Sequence, residues 1–476
     1  MEKFSKIAES GIPTPVAVDS APIEKKDLSV EIKVYKKRWF MLFLFILHSI
    51  CVSCQLTQYT IIANIIMRYY NVTSFEVHAT ALISMLYYII LIFPVTYLLK
   101  KISLKKSLVL GSLLCCVGSW IKILSCSPDR FLITLLGHSV MALSVVMMLP
   151  IPGQLAAHWF SSDEVSKATS IGLLGQLLGM ALSFLLPPLL VKNHENIDDI
   201  GKDLNLMFWS IAVASTLSLL LIVPFFQSDP KLPPSKARAF QQDHSVKEQQ
   251  SFGKSIKNIL TNRNFMILCH SYGLILGVQA SAGTIFNQLF MVHFKDGERD
   301  AGIIGSIMTF IGMPGSILFG IILDRTHKFK ELAVISYAAT IAFQVLNATS
   351  IVNASLPMVH VTTILLGLAM SGFVTIGYET AAEFTYPESQ TLSSGILNIT
   401  NNFYGIVLVL LQEQIFERFG DIYVHATFSV ILVIGLILTL MMKNDHRRQA
   451  AQKNDELHVQ DPSSDKVQTK HNGLNV

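Results

Sequence analysis

The sequence is short of charge. Only 15% of its 476 residues are Asp, Glu, Lys or Arg, while 51% are hydrophobic, against roughly 25% charged residues in soluble globular domains. That is a membrane composition, and a net charge of +4 is too small to suggest a nucleic-acid partner. A Walker loop, a nucleophile constellation and a metal-ligand cluster are all missing, so neither an enzyme nor a cofactor is expected. Cys51 and Cys54 have the C-x-x-C spacing without a second ligand pair nearby, and the cysteines are read as small packing residues. A signal peptide is also missing, because the first apolar run starts near residue 39, behind a polar tail, and is too long for an h-region.

What the chain does have is a series of runs without formal charge. They cover 39–67, 77–99, 131–162, 168–191, 204–228, 264–294, 301–323, 332–378, 389–412 and 422–442, and each can supply the roughly 20 apolar residues of a spanning helix. The run over 332–378 is too long for one span and divides at Asn353-Ala354-Ser355-Leu356-Pro357. A short run over 107–121 extends past Lys122, whose stem is expected to carry its ammonium to the interface. The count is twelve spans, so the fold class is an all-α membrane protein in two six-helix halves. The expected organisation is a disordered tail over 1–36, a first half over 37–226, a linker over 227–257, a second half over 258–442 and a disordered tail over 443–476.

With twelve spans both termini share a side, and 29 of the 37 Lys and Arg residues fall on it. By the positive-inside rule that side is cytoplasmic. Asn71-Val72-Thr73, Asn347-Ala348-Thr349 and Asn353-Ala354-Ser355 fall at expected exterior loops and are candidate glycosylation acceptors.

The halves are weakly self-similar, as in carriers built from repeats. The fifth span enters through SSDEVSKATSIG and the eleventh through YPESQTLSSGIL. This architecture resembles the major facilitator superfamily. So does Gly320-x-x-x-Asp324-Arg325 after the eighth span; glycine permits close helix approach, and Asp and Arg can bridge helix ends in one gating state. Glu379 and Glu383, near the cytoplasmic end of the tenth span, join these as candidate gating residues.

Polar residues inside spans need partners or a water-filled path. At 100° per residue, Gln55, Gln58 and Tyr59 would share one face of the first span, with Ser53, Thr57, Thr60 and Asn64 opposite. Gln176 in the fifth span, Gln279, Asn287 and Gln288 in the seventh, and Asn398, Asn401, Asn402 and Tyr404 in the eleventh complete a set expected to converge on a central cavity. No expected span has a carboxylate at mid-depth. His138 and His270 are the titratable candidates, read as structural, so facilitated diffusion is expected rather than proton coupling.

The segments YKKRWFMLFLFILHSICVSCQLTQYTIIANI, GSILFGIILDRT and GYETAAEFTYPESQTLSSGILN, with the WF-x-x-x-EVS element at 159–166, resemble the feline leukaemia virus subgroup C receptor-related carriers. The likeness covers about residues 35 to 442. It implies a plasma-membrane carrier for choline and ethanolamine, with heme export also assigned to members, working by alternating access. Choline-carrying members are implied to cage the quaternary ammonium with a tryptophan and a tyrosine, and those positions are Leu56 and Ala280 here. Two glutamine positions of the family fall at Leu177 and Asn402. Either Tyr59, Phe286, Phe403 or Tyr404 rebuilds a cage, or the substrate has changed. The expected protein is a monomeric, multi-pass facilitator of a small organic solute in the plasma membrane or an organelle membrane. Its partners are that solute and the lipid bilayer. The alternatives are a heme exporter and a non-transporting sensor or scaffold.

Overall fold

The computed structural model describes residues 32–235 and 252–443, together with 447 and 449. The first half is built from α1 (Arg38–Ser53), a 3-10 turn (Thr60–Ile62), α2 (Ala63–Tyr70), α3 (Ser74–Lys101), α4 (Leu104–Ile123), α5 (Phe131–Met148), α6 (Ile151–Trp159), α7 (Val165–Leu190) and α8 (Ile197–Phe225). The second half comprises α9 (Phe252–Thr261), α10 (Arg263–His293), α11 (Glu298–Thr326), α12 (Phe329–Val352), α13 (Leu356–Thr385), α14 (Gln390–Phe419) and α15 (Asp421–Met441). Among the described residues, 11 helices are long and apolar enough to cross a membrane. The twelfth span is α1, a shorter apolar helix, continued by α2 after a break.

Local chemistry sets the boundaries. Thr73 and Glu76 form a reciprocal capping box at the start of α3. Asn262 caps α10 through the Phe265 N–H. The long apolar run divides where expected: α12 stops at Val352 and α13 starts at Leu356, with Pro357 in its first turn, where a missing N–H costs nothing. The expected linker is shorter than its sequence suggests, because helix α9 already begins at Phe252. Residues 236–251 of it, residues 1–31 of the expected first tail and residues 444–446, 448 and 450–476 of the expected second tail lie outside the described residues.

Three expectations are corrected. The first span is not one helix: residues 54–59 are non-helical, so its polar residues do not divide between two helical faces. Lys122 does not reach the interface, since only 1% of it is exposed. Asn347 is no glycosylation acceptor, because it is buried within α12 and donates to Thr362 and Thr363 at 3.1 and 2.9 Å.

The break has a chemical cause. Gln55 N–H turns to the Val52 carbonyl and Leu56 N–H to that of Ser53, each at 3.2 Å, a tightened 3-10 pattern. That leaves the Cys51 carbonyl to the side chains, and Gln55 Nε2 donates to it at 2.8 Å. Thr60 likewise bonds locally, its hydroxyl donating to the Thr57 carbonyl at 3.1 Å.

The halves meet through α7 against α11 and α3 against α14. Close approach of α7 and α11 depends on two glycines. A Cβ on Gly302 would lie 2.7 Å from the Phe184 carbonyl oxygen, and one on Gly305 2.6 Å from the Phe184 ring, so neither position admits a side chain without separating the helices.

Candidate functional site

The site is organised by the interrupted span, because non-helical backbone at membrane depth is tolerated only where it is buried in protein or lines a cavity. Each side chain of the break has a different destination. Gln55 points into the first half, where Oε1 accepts from Lys122 Nζ at 2.8 Å and from Ser119 Oγ at 3.3 Å. Thr57 shares a short hydroxyl contact with Ser183 on α7. Tyr59 is fully buried, edge-on to His138 and Phe208 at 5.8 and 6.2 Å. Both polar atoms of Gln58 are buried without a hydrogen bond. Leu56 alone among residues 55–59 is half-buried rather than buried.

The second half completes the broken backbone. Asn287 on α10 donates from Nδ2 to the Ile61 carbonyl at 2.9 Å, and its Oδ1 accepts from the Asn64 N–H at 3.2 Å. One amide thus pairs a carbonyl of the 3-10 turn and a first-turn N–H of α2, groups a continuous helix would have paired internally.

The remaining amides lie on α7, α10 and α14, of which α7 and α10 pack against this turn and α14 packs on α10 and α3. Gln176 and Leu177 on α7, Gln279, Ala280 and Gln288 on α10, and Asn398, Asn401 and Asn402 on α14 are all half-buried. Tyr378 donates to Asn398 Oδ1 at 3.1 Å, and Asn402 Nδ2 donates to the Asn398 carbonyl at 2.8 Å. Ala280 sits where three helices meet: a Cβ on Gly405 would lie 3.6 Å from Ala280 Cβ and 3.1 Å from Met85 Sδ.

The four aromatic residues that could rebuild a cage have different surroundings. Tyr404 fills the notch left by Gly273 and Gly277 on α10 and hydrogen-bonds His270 at 3.0 Å. Phe403 is 54% exposed and Tyr59 is buried. Phe286 alone of the four is half-buried without a hydrogen-bonding hydroxyl, its ring tilted 31° to that of Phe290 with centroids 5.5 Å apart.

On the face opposite the linker, the halves are latched. Glu298 at the start of α11 accepts from Asn64 Nδ2 at 2.6 Å and Asn193 Nδ2 at 3.3 Å. Glu413 on α14 accepts from Ser74 Oγ at 2.5 Å and pairs with His78 Nδ1 at 3.4 Å, buried on both sides. On the linker face, by contrast, a Cβ on Gly153 or Gly395 would meet nothing within 4 Å among the described residues.

The linker face explains the two repeated segments. Glu164 at the entry to α7 pairs with Arg38 at 3.0 Å, and the Arg38 guanidinium lies 5.3 Å from the Phe160 ring centroid. In the other half Glu388, before α14, accepts from Asn258 Nδ2 at 2.9 Å. Each acidic residue therefore ties the helix that follows it, α7 or α14, to the helix that opens its own half. Of the gating candidates, Asp324 and Arg325 are exposed at the end of α11 and Gly320 is half-buried there. Glu383 is buried and accepts from the Gln449 N–H at 3.3 Å, while Glu379 is half-buried.

Sequence reasoning singled out Asn287 only as one amide among several, and it missed His78, Asn193, Glu298 and Glu413 because they sit at span ends, where polar residues are unremarkable. The signal for Lys122 is a lysine at the penultimate position of α4, and its side chain turns inward rather than to the interface.

The Major Facilitator Superfamily profile matches residues 39–346 and 301–469. The choline/ethanolamine transporter flvcr2b of Danio rerio is 38% identical over 428 residues, covering 90% of this chain and 88% of that protein. The Homo sapiens choline/ethanolamine transporter FLVCR2 is 36% identical, covering 90% and 81%. An uncharacterized MFS-type transporter of Caenorhabditis elegans, C09D4.1, is 37% identical, covering 90% and 72%. Among solved structures, a bacterial homologue of the human lysosomal transporter Spinster, inward-facing and unoccupied, superimposes with a TM-score of 0.67 at 13% identity, covering 86% of this chain and 98% of that one.

Proposed function

Because the chain belongs to the major facilitator superfamily, within the feline leukaemia virus subgroup C receptor-related transporters, and is a solute carrier rather than an enzyme, we propose that it moves small amino alcohols by facilitated alternating access and prefers ethanolamine to choline. The observation that carries this reading is the pair Leu56 and Ala280, at the positions where the family resemblance implies the aromatic cage. A quaternary ammonium has no N–H and depends on aromatic faces, with about 0.5–2 kcal/mol from each. A primary ammonium has three N–H donors and is satisfied by amide oxygens, which the half-buried Gln176, Gln279, Asn398 and Asn402 supply on α7, α10 and α14.

The positive-inside count supports cytoplasmic termini. On that orientation the latched face is extracellular, and the conformation described is closed to the outside. The protein works as a monomer in the plasma membrane, with a path formed by the two facing halves. Gln58, Gln288 and Tyr404, although paired or buried in this conformation, remain part of the proposed path, since alternating access moves the halves relative to each other.

The test is uptake of labelled ethanolamine and choline in cells expressing the chain, with surface protein quantified. Saturable ethanolamine flux, with choline weaker by about tenfold or more, is the expected result. Equal or stronger choline flux overturns the preference, and background flux of both overturns the substrate class.

A further inference from the structure

Lys122 is a fully buried lysine in a spanning helix, and among the described residues no carboxylate pairs with it. An ionisable side chain inside the membrane is costly and marks function by default. How it reaches the interior is visible in the packing. A Cβ on Gly118 would lie 2.6 Å from the Gly137 carbonyl oxygen, and one on Gly137 2.8 Å from both the Gly118 carbonyl oxygen and Lys122 Cγ. Helices α4 and α5 therefore touch at these glycines, and the lysine stem passes over Gly137. Its ammonium donates to Gln55 Oε1 at 2.8 Å and lies 5.5 Å from the centroid of the Tyr59 ring. Gln55 follows the end of α1, so the cation sits at the negative end of that half-helix.

We propose that Lys122 is a positioning residue for transport: it pins Gln55 and Tyr59 inward, holds the first span broken, and so presents Leu56 to the solute path. The two anchors lie on either side of Leu56. Thr57, through Ser183, adds a third from α7. Without the lysine, Gln55 keeps only the longer bond from Ser119, at 3.3 Å, to hold its carbonyl oxygen away from the backbone, and the span is free to continue as helix, which turns residue 56 away. The proposal rests on the transport reading for its purpose, but its geometry does not need a solute.

The test uses the full chain with Cys54→Ser and Cys126→Ser, which removes the half-exposed thiols, and Leu56→Cys as reporter. Its rate of modification by a membrane-permeant maleimide is measured without solute. Lys122→Met and Gln55→Met should each slow labelling by about fivefold, and the double variant should add less than about twofold, because the two act as one unit. Gln55→Glu keeps the acceptor and should label within about twofold of the parent. In the chain with Leu56 restored, the KM for ethanolamine should rise with Lys122→Met while Vmax at equal surface protein changes little, a split that general loss of fold would not produce. Parental labelling in a folded Lys122→Met protein, or effects that multiply in the double variant, overturns the proposal. If Lys122→Met does not fold, the contrast between Gln55→Met and Gln55→Glu decides it: equal labelling in those two is fatal. Should the labelling pattern hold while the parent shows no ethanolamine or choline flux, the substrate reading fails and the positioning role stands.

Discussion

Asn287 and Ile61 are 226 positions apart in the chain, yet the side-chain amide of one completes the backbone of the other, Nδ2 to carbonyl at 2.9 Å. The same amide accepts from the Asn64 N–H. The two halves are thus coupled at the point where the first span is weakest, and a movement of one half is transmitted directly to the break.

Asn287→Leu should therefore be more damaging than a single lost hydrogen bond. It leaves a carbonyl and an N–H unpaired inside the membrane domain, at about 1–3 kcal/mol for each group. The expected result is a lower melting temperature of the detergent-purified protein and a severalfold fall in uptake per surface molecule. Unchanged melting and flux would show that water replaces the amide.

The latch on the face opposite the linker predicts a shift of conformation. Glu413→Gln weakens the contact with His78, and Ser74→Ala removes the hydroxyl donor. A loss of about 1–3 kcal/mol from the closed form raises the open population by roughly 5- to 150-fold. A cysteine placed near Glu413 should then react faster with an impermeant reagent added outside. No change in reactivity would mean that Glu298 with Asn64 and Asn193 closes this face alone.

Restoring the aromatic positions tests the substrate preference. Leu56→Trp should strengthen choline competition by about 2- to 30-fold, the range of one cation–π contact, while ethanolamine changes less. Ala280→Tyr alone should do little, because Met85 and Gly405 crowd that position. Combining it with Met85→Ala should release the effect, read as inhibition of ethanolamine uptake by choline.

Glu388 predicts a pH effect outside the membrane. Hydrogen bonds from Asn258 and Ser255 hold its carboxyl below the ordinary value of 4.5. A lowered carboxylate contributes its stabilisation above that ordinary value and loses it as pH falls through the folded-state value. Protection of the α9 amides, taken relative to their intrinsic exchange rates at each pH, should accordingly be high at neutral pH and lower well below pH 4.5, with Glu388→Gln removing the difference. Protection that does not change with pH would remove Glu388 from the docking of α9.

Glycosylation tests the orientation. Asn353 is exposed between α12 and α13, while Asn347 is buried and bonded. Enzymatic deglycosylation should shift the gel mobility of the protein, Asn353→Gln should abolish that site's share of the shift, and Asn347→Gln should leave the pattern intact. A glycan on Asn347 would contradict the fold at α12.

Span number and their division into two halves were legible along the chain, because hydropathy and backbone satisfaction in a membrane are local demands that each segment meets alone. The division at Asn353–Pro357 and the paired acidic entries at Glu164 and Glu388 were readable for the same reason. What a polar side chain in a span turns towards is not a local quantity. Gln55 and Gln58 look equivalent in sequence, but one accepts from Lys122 while the other is buried beside Tyr59, away from Lys122. Lys122 could go to the interface or inward, and only the contact of Gly118 with Gly137 opened the inward route. The first span is continuous by hydropathy and broken in fact, because the groups that satisfy its open backbone come from α10, more than 200 residues later, with Asn287 226 positions from Ile61. Composition and pattern determined that this protein crosses a membrane twelve times; tertiary packing decided where its helix breaks and which residue the break presents.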